Sequence, residues 1–362
     1  MMTYPWPDVG TPIDAISTPM PVIDEDRLSA NIMRAQSYLD DHGKAFRPHI
    51  KTHKIPAVAR QQLEAGAIGI NCQKVSEAEV FADAGFDDIL ITYNILGAAK
   101  LARLKALNEC VARLSVVADS ETTIAGLAAT FDVSRPLAVL VECDTGGKRC
   151  GVQNPETALG LAEKIAAAPG LVFKGILTYP APAGAEAVEK FLSETMELLA
   201  GKGIECPIRS SGGSPDFYAA HLVPSATEHR AGTYVYNDRS MVRAGHCNID
   251  DLAMHVLATV VSKPTADRAV LDSGSKALTS DLLGFSDYGL IEGYEGAKIV
   301  SLSEAHAVVD LSGCSLRPEI GDVVKVVPNH TCVVSNLFDR MVFHRNGIVT
   351  RVEKIAARGT VW

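Results

Sequence analysis

The chain lacks what a membrane, export or nucleic-acid-binding protein would need. No apolar run approaches the roughly 20 residues that a bilayer span requires. The opening MMTYPWPDVGTP has no basic start, apolar core or small-residue cleavage site, so no export signal is read and a cytoplasmic location is expected. Basic charge is in deficit: 34 Lys and Arg against 43 Asp and Glu leave a formal net charge of −9. Phosphate contacts need Lys and Arg in excess on some face, and the longest basic cluster is one octapeptide. The expected partner is therefore a small molecule, not nucleic acid and not a membrane. The eight cysteines (Cys72, Cys110, Cys143, Cys150, Cys206, Cys247, Cys314 and Cys332) show no CxxC spacing, which reads as reduced thiols, most of them buried as small hydrophobes. Internal repeats and low-complexity segments are also missing.

What the chain does have is length and alternation. Its 362 residues, 47% hydrophobic and 21% charged, allow one large α/β domain and a smaller second one. From about residue 20 to 240, short apolar or β-branched runs alternate with helical patterns, as βα units require. Strands are expected at MPVID (20–24), AFRPHIKTH (45–53), AIGINCQ (67–73), DILITYN (88–94), RLSVVAD (113–119), LAVLVECD (137–144), VFKGILTY (172–179) and CPIRSSGG (206–213). Between them, apolar residues recur at three- and four-residue spacings and predict helices. Ser76 followed by Glu79 fits a capping box, and Gly85, Gly170 and Gly203 stand where helices end. Eight strands alternating with helices fit a TIM-like (β/α)8 barrel, with an open doubly wound sheet as the competing arrangement. After residue 250 the pattern changes to strands and turns. The expected organisation is an N-terminal segment (1–19) packing on the β domain, a barrel (20–245) and a smaller C-terminal β domain (246–362).

The octapeptide RPHIKTHK (47–54) places Arg47, His49, Lys51 and His53 at every second position. On a strand all four share a face, which in a barrel is the interior near the C-terminal mouth, where active sites lie. Desolvation and neighbouring cations lower a lysine's pKa, so Lys51 would be a nucleophilic amine suited to a Schiff base. The competing reading is a plain solvated strand face. Glycine-rich turns supply backbone N–H groups to phosphate, and SSGGSPDF (210–217) and RAGTY (230–234) follow the last expected barrel strand, where barrels often cradle phosphate. Ordinary turns would give the same glycines. A cornered lysine near the first strands with a phosphate cradle near the last describes pyridoxal 5'-phosphate held at both ends.

With these segments, and with NCQKVSEAE (71–79), VECDTGGKRCGV (141–152), EHRAGTYVYND (228–238), LDSGSK (271–276) and PNHTCVVSNLFD (328–339), the chain resembles the pyridoxal-phosphate enzymes that include D-threonine aldolase and the metal-activated D-serine dehydratases, relatives of the alanine racemase fold. The resemblance runs nearly end to end. It implies Lys51 as the cofactor lysine, with Gln73, Arg149 and Tyr179 as cofactor neighbours. It also implies a phosphate site of Ser211, Gly212, Gly213, Ser214, Gly232, Thr233 and Tyr234, and a homodimer with shared active sites. The family further suggests a divalent metal at His330 and Cys332. Two residues apart on a strand, an imidazole and a thiolate can converge on one ion, and a nitrogen and sulfur pair suits zinc, with manganese or magnesium as alternatives. Without the resemblance, the pair would be a packed cysteine beside a surface histidine.

Two departures from the family pattern bear on the reaction. After Tyr179 the text is TYPAPAGAE, where a histidine is expected as acid or base, and SEAHAVV around His306 carries Ala305 and Ala307 where Glu and Gly are commoner. His49, His53 or metal-bound hydroxide stand as substitutes, and Arg239 as a candidate for a substrate carboxylate, against a surface ion pair. The expected activity is that of a lyase on D-3-hydroxy amino acids, retro-aldol cleavage to glycine and an aldehyde. Dehydration of D-serine or a related substrate is the alternative, and a non-catalytic cofactor carrier the distant one.

Overall fold

The first strand of the chain, β1 (Met20–Asp24), goes elsewhere than its sequence suggests. In the computed structural model, which describes residues 6 to 362, β1 lies outside the parallel barrel sheet. It runs antiparallel to the long strand Met254–Thr265, with Met20 opposite Leu257, and parallel to Arg340–Arg345, with Val22 opposite Val342. The five residues MPVID carry apolar side chains for either setting, so only their partners distinguish the two.

The barrel sheet has eight parallel strands: β2 (Ala45–Phe46), β3 (Ile70–Cys72), β4 (Asp88–Asn94), β5 (Arg113–Ala118), β6 (Leu137–Cys143), β7 (Leu171–Thr178), β8 (Ile208–Gly212) and β9 (Glu228–Arg230). Their order is β2-β9-β8-β7-β6-β5-β4-β3. The two ends of that order meet at a parallel bridge between His49 and Asn71, where the Asn71 N–H donates to the Pro48 carbonyl at 2.9 Å. That bridge closes the barrel. The place expected for β1 is taken by β9, whose three residues Glu, His and Arg carry no strand signal.

The expected strand 45–53 is cut short. Its backbone stays extended as far as His49, with the N–H groups of Ala45, Arg47 and His49 donating to the carbonyls of Thr227, His229 and Ala231. Ile50–Thr52 then turns as a 3-10 helix, and Lys54 has a φ of 56°. Alternation therefore holds for Arg47 and His49 and stops before Lys51 and His53.

Helices occupy the predicted segments, Glu25–Asp41, Pro56–Glu64, Val75–Asp83, Ala98–Cys110, Glu121–Ala128, Pro155–Ala167 and Ala185–Gly201. The expected capping box does not form. Ser76 lies inside its helix and donates from Oγ to the Trp362 carbonyl, Glu79 pairs with Arg103, and Glu77 instead accepts the Gln73 N–H at 2.7 Å. Gly85 and Gly203 end helices with φ of 88° and 68°, as expected. Gly170 serves another need: a Cβ there would stand 2.0 Å from the Phe131 carbonyl oxygen.

By contacts the chain divides into two units. One comprises 34–51, 58–232 and 360–362, and holds the barrel sheet; the other comprises, of the described residues, 6–33, 52–57 and 233–359, and the first five residues of the expected N-terminal segment lie outside the described residues. This division departs from 20–245 and 246–362, because β1 and the residues after 232 belong with the strand-rich unit. In the barrel unit, Leu90, Val117, Leu140 and Leu177 form an apolar layer, with Ile208 against it. In the strand-rich unit, Ile13, Ile16, Met20, Val22, Leu257, Val342 and Val349 make a core, on which Trp6 packs. Among the described residues, no helix is long and apolar enough to cross a membrane.

Candidate active site

In the barrel unit the candidate residues gather at the C-terminal ends of the strands. Lys51, half-buried, sits in the 3-10 turn that follows β2. Its neighbour His49 is buried, and the orientation of its ring follows from a chain of hydrogen bonds. Gln73 donates through Nε2 to the Thr92 carbonyl at 3.1 Å, which turns its Oε1 toward His49 Nε2, also 3.1 Å away. Since Oε1 only accepts, Nε2 carries the imidazole proton and Nδ1 is left as an acceptor. Nδ1 faces the Lys51 backbone N–H at 3.4 Å. Gln73 is itself fixed by Glu77, so one relay runs from a helix start through Gln73 and His49 to the Lys51 turn.

Arg149 and Tyr179 meet: the guanidinium carbon lies 4.5 Å from the phenol ring centroid, and both residues are exposed. The loop carrying Arg149 is built on Asp144, whose carboxylate accepts the N–H groups of Gly146 (2.9 Å) and Lys148 (3.1 Å). Burial raises the Asp144 pKa, but these N–H groups outweigh it, and the net shift is downward. Beside the loop, Asp119, Glu142 and Cys150 bring their polar atoms within 4.8 Å of one another. Burial pushes the Glu142 carboxyl upward, Asp119 adds to that, and Arg149 opposes it.

Ser211, Gly212, Gly213, Ser214 and Gly232 lie in the same unit, with both serines buried. Gly212 must be glycine, because a Cβ would come 2.1 Å from the Arg230 carbonyl oxygen. Gly213, at φ 147°, would place a Cβ against the Tyr179 ring, 3.6 Å from Cε2, so its hydrogen leaves that space open. Arg230, the last residue of β9, braces this end of the barrel. It donates to the Thr178 carbonyl (2.9 Å), the Ser211 carbonyl (3.3 Å) and Ser210 Oγ. Complete burial pulls its guanidinium down to about 10, against Glu228 and Glu142. A lysine amine, buried hydroxyls, a glycine-cleared space beside an aromatic ring and a cation on that ring fit an aldehyde cofactor bearing a phosphate.

The strand-rich unit holds the second group. His330 and Cys332 are not on a strand: His330 is the N-cap of the helix Thr331–Leu337, and Cys332 lies in its first turn. They still meet. The thiol and Asp281 both hydrogen-bond the imidazole and, outweighing burial, raise its pKa to about 9. His330 Nδ1 is 2.7 Å from Asp281 Oδ2, and Cys332 Sγ is 3.1 Å from Thr52 Oγ1 and 3.6 Å from Thr233 Oγ1. Buried Asp238 sets the turn by accepting the Thr331 N–H at 3.2 Å while it caps the helix Arg239–Arg243. An imidazole oriented by a carboxylate, next to a thiol, is a donor set that fits a divalent ion such as zinc. Asp281 and Asp238 escaped sequence reasoning because they stand 49 and 93 positions from their partners.

Three further residues fall in this unit. Tyr234 is buried. His53 is fully buried and engages the Ile55 backbone through Nδ1 at 3.1 Å, with its ring edge-on to Tyr236. Arg239 is committed to Asp287 and stacks on Phe285, which settles it as an internal ion pair.

Residues 23–240 match the model of the alanine racemase N-terminal domain, and residues 253–344 that of a putative serine dehydratase domain. The chain is 35% identical over 369 residues to D-threonine aldolase from Arthrobacter sp., covering 97% of this chain and 95% of the relative. The crystal structure of D-threonine aldolase from Filomicrobium marinum superposes with a TM-score of 0.91 at 29% identity, covering 98% of this chain and 100% of the other. A cysteine-to-alanine variant of D-threo-3-hydroxyaspartate dehydratase, in the metal-free form, superposes at 0.86 with 29% identity, covering 95% and 99%. The chain belongs to the family of D-threonine aldolase and the metal-activated D-serine dehydratases, lyases of the alanine racemase fold.

Proposed function

We propose that the protein is a pyridoxal-phosphate- and divalent-metal-dependent lyase that cleaves D-3-hydroxy amino acids to glycine and an aldehyde. One observation carries the reading: a match to D-threonine aldolase over 97% of the chain, with an amine, Lys51, at the C-terminal mouth of the barrel. When bound, the cofactor supplies an electron sink for the bond broken at the substrate's α-carbon. Lys51 holds the cofactor, the serines and glycines of 211–214 with Gly232, Thr233 and Tyr234 take its phosphate, and Arg149 and Tyr179 flank it. His49, with its proton directed to Gln73, keeps Nδ1 as an acceptor and positions the Lys51 turn. His330 and Cys332 would hold the metal, zinc by their donor chemistry, with Lewis acidity toward the substrate hydroxyl as its contribution. The working state in this reading is a cytoplasmic homodimer.

Dehydration is the second reading, favoured by the His330 and Cys332 pair. One relative with a solved cysteine-to-alanine variant in the metal-free form is a dehydratase. The two separate in one assay: D-threonine and D-serine with zinc or manganese, scored for glycine and aldehyde against keto acid and ammonia. Glycine and acetaldehyde from D-threonine are expected, and keto acid alone would replace the aldolase reading with the dehydratase one. Cys332→Ala is expected to keep the cofactor's visible absorption and lose bound metal, with the rate falling about a hundredfold. Unchanged metal content by elemental analysis would remove the metal assignment.

A further inference from the structure

At the opposite, N-terminal end of the barrel the interior is an open cavity of about 600 Å³, within the size range of small-molecule sites. Its lining includes Arg47, Arg113, Arg135 and Lys174, with the small residues Ser115 and Ala138 leaving room between them. One carboxylate, Asp88, shares the lining, and two arginines already hold it: Arg47 Nη1 at 2.6 Å and Arg113 Nε at 2.7 Å. Since Arg47 also pairs with buried Glu228, four cations stand against two acids, still a local excess of positive charge on a chain whose net charge is −9.

The cations are held from behind. Buried Arg47 gives Nε to Glu228 at 3.0 Å, and Gly69 makes room for its guanidinium, since a Cβ there would stand 2.5 Å from Nη1. Arg135 is fixed by the carbonyls of Asn108 (3.0 Å from Nε) and Val111 (2.9 Å from Nη2). Lys174 is placed by a break in the ladder: Val139 pairs with Phe173 and Leu140 with Gly175, so Lys174 is the extra residue of a β-bulge. Bulges re-aim side chains, and this one depends on Gly175, whose Cβ would overlap the Ile208 carbonyl oxygen at 1.8 Å. Among the described residues the Lys174 ammonium makes no hydrogen bond or ion pair. An ammonium of this kind, beside guanidinium groups fixed by the protein, is a preorganised receptor for an oxyanion.

We propose that this N-terminal mouth binds a small multivalent oxyanion, a phosphate or a dicarboxylate, at a site separate from the cofactor end of the barrel. The inference does not rest on the lyase reading, since it uses none of the residues assigned to it. The test is calorimetric titration of the cofactor-loaded, metal-loaded protein with inorganic phosphate and, separately, with succinate. Saturable binding of either is expected, the one that binds naming the chemistry, together with a rise in thermal midpoint. Lys174→Gln and Arg113→Gln should each weaken binding at least fivefold, and the double variant should abolish it, while cofactor absorption and turnover without added anion stay unchanged. No saturable binding of either anion overturns the proposal, as does equal binding by the double variant or equal weakening by Lys190→Gln on an exposed helix face.

Discussion

The two mouths of the barrel are built from the same strands and handle charge in opposite ways. At the N-terminal mouth, Arg47 is locked between Asp88 and Glu228, and the remaining cations surround a cavity. At the C-terminal mouth, His49 is held through neutral partners, Gln73 and Thr92, and the carboxylates Asp119 and Glu142 stand close to each other beside Arg149. The apolar layer of Leu90, Val117, Leu140 and Leu177 belongs to the same barrel interior. The octapeptide RPHIKTHK contributes to both ends, so its row of cations is not one feature. Arg47 neutralises buried acids, whereas Lys51 stands in a turn after the strand has ended. A fully paired cation stabilises a fold and does little chemistry, whereas an amine in the turn after a barrel strand stands at the mouth where barrel active sites lie.

The largest expected difference comes from removing one cation at each end. Lys51→Ala should eliminate the cofactor's visible absorption and reduce turnover roughly a thousandfold or more, with the denaturation midpoint little changed. Retained absorption in that variant would move the cofactor elsewhere. Arg47→Met should do the reverse. It leaves Glu228 buried with the Ser210 hydroxyl and the nearby charge of Arg230, while Asp88 keeps Arg113, and a broken buried pair costs about 3–5 kcal/mol. Urea unfolding measures it, and the folded fraction should bind cofactor normally. A cost under about 1 kcal/mol would mean that the pair does not hold this mouth together.

A smaller effect is expected at the bulge that separates the two styles of lining on β7. Gly175→Ala puts a methyl group into the backbone of β8 at a φ of 149°, and should destabilise by about 2–3 kcal/mol, again by urea unfolding. Since the bulge lies on the N-terminal side of the strand, cofactor absorption should persist. A neutral outcome would show that β8 yields easily and that Lys174 is not fixed in place.

How much of this was legible in the sequence depended on how far each signal reached. Helices were readable because their apolar spacing is local, and Glu121–Ala128 has its cap, Ser120, in plain view. Apolar strands such as β4 and β6 were equally plain. What failed was everything set by a partner. MPVID fits either sheet, and the three charged and aromatic residues of β9 become a strand only because Ala45 and Ser210 pair beside them. The turn at Ile50–Thr52 was hidden by an unbroken alternation of cations. For the metal pair, the β-branched run after His330 reads as strand, yet Asp238 captures the Thr331 N–H and starts a helix there. The chemistry of Lys51, His330 and Cys332 was visible as residue types; the carboxylates Asp281 and Asp238, which orient His330 and start its helix, were not.

The smallest expected effect tests whether the C-terminal mouth works through positioning. Gln73→Leu removes the acceptor for His49 Nε2 and the donor to the Thr92 carbonyl, while the Glu77 contact to its backbone N–H remains. Without Gln73 the imidazole is free to take the other tautomer, and the Nδ1 acceptor that faces the Lys51 turn is no longer defined. Turnover should fall about tenfold, equivalent to about 1.4 kcal/mol, with KM for the amino acid little changed and the cofactor retained. Gln73→Glu separates orientation from charge. Its carboxylate still accepts from Nε2 but cannot donate to the Thr92 carbonyl, and it favours a protonated imidazole, so the acidic limb of the pH–rate profile should move to higher pH. If Leu and Glu at position 73 gave the same rate and the same profile, the relay through His49 would carry no functional weight, and the contrast between His49 held by neutral partners and Arg47 held by carboxylates would reduce to a difference in packing.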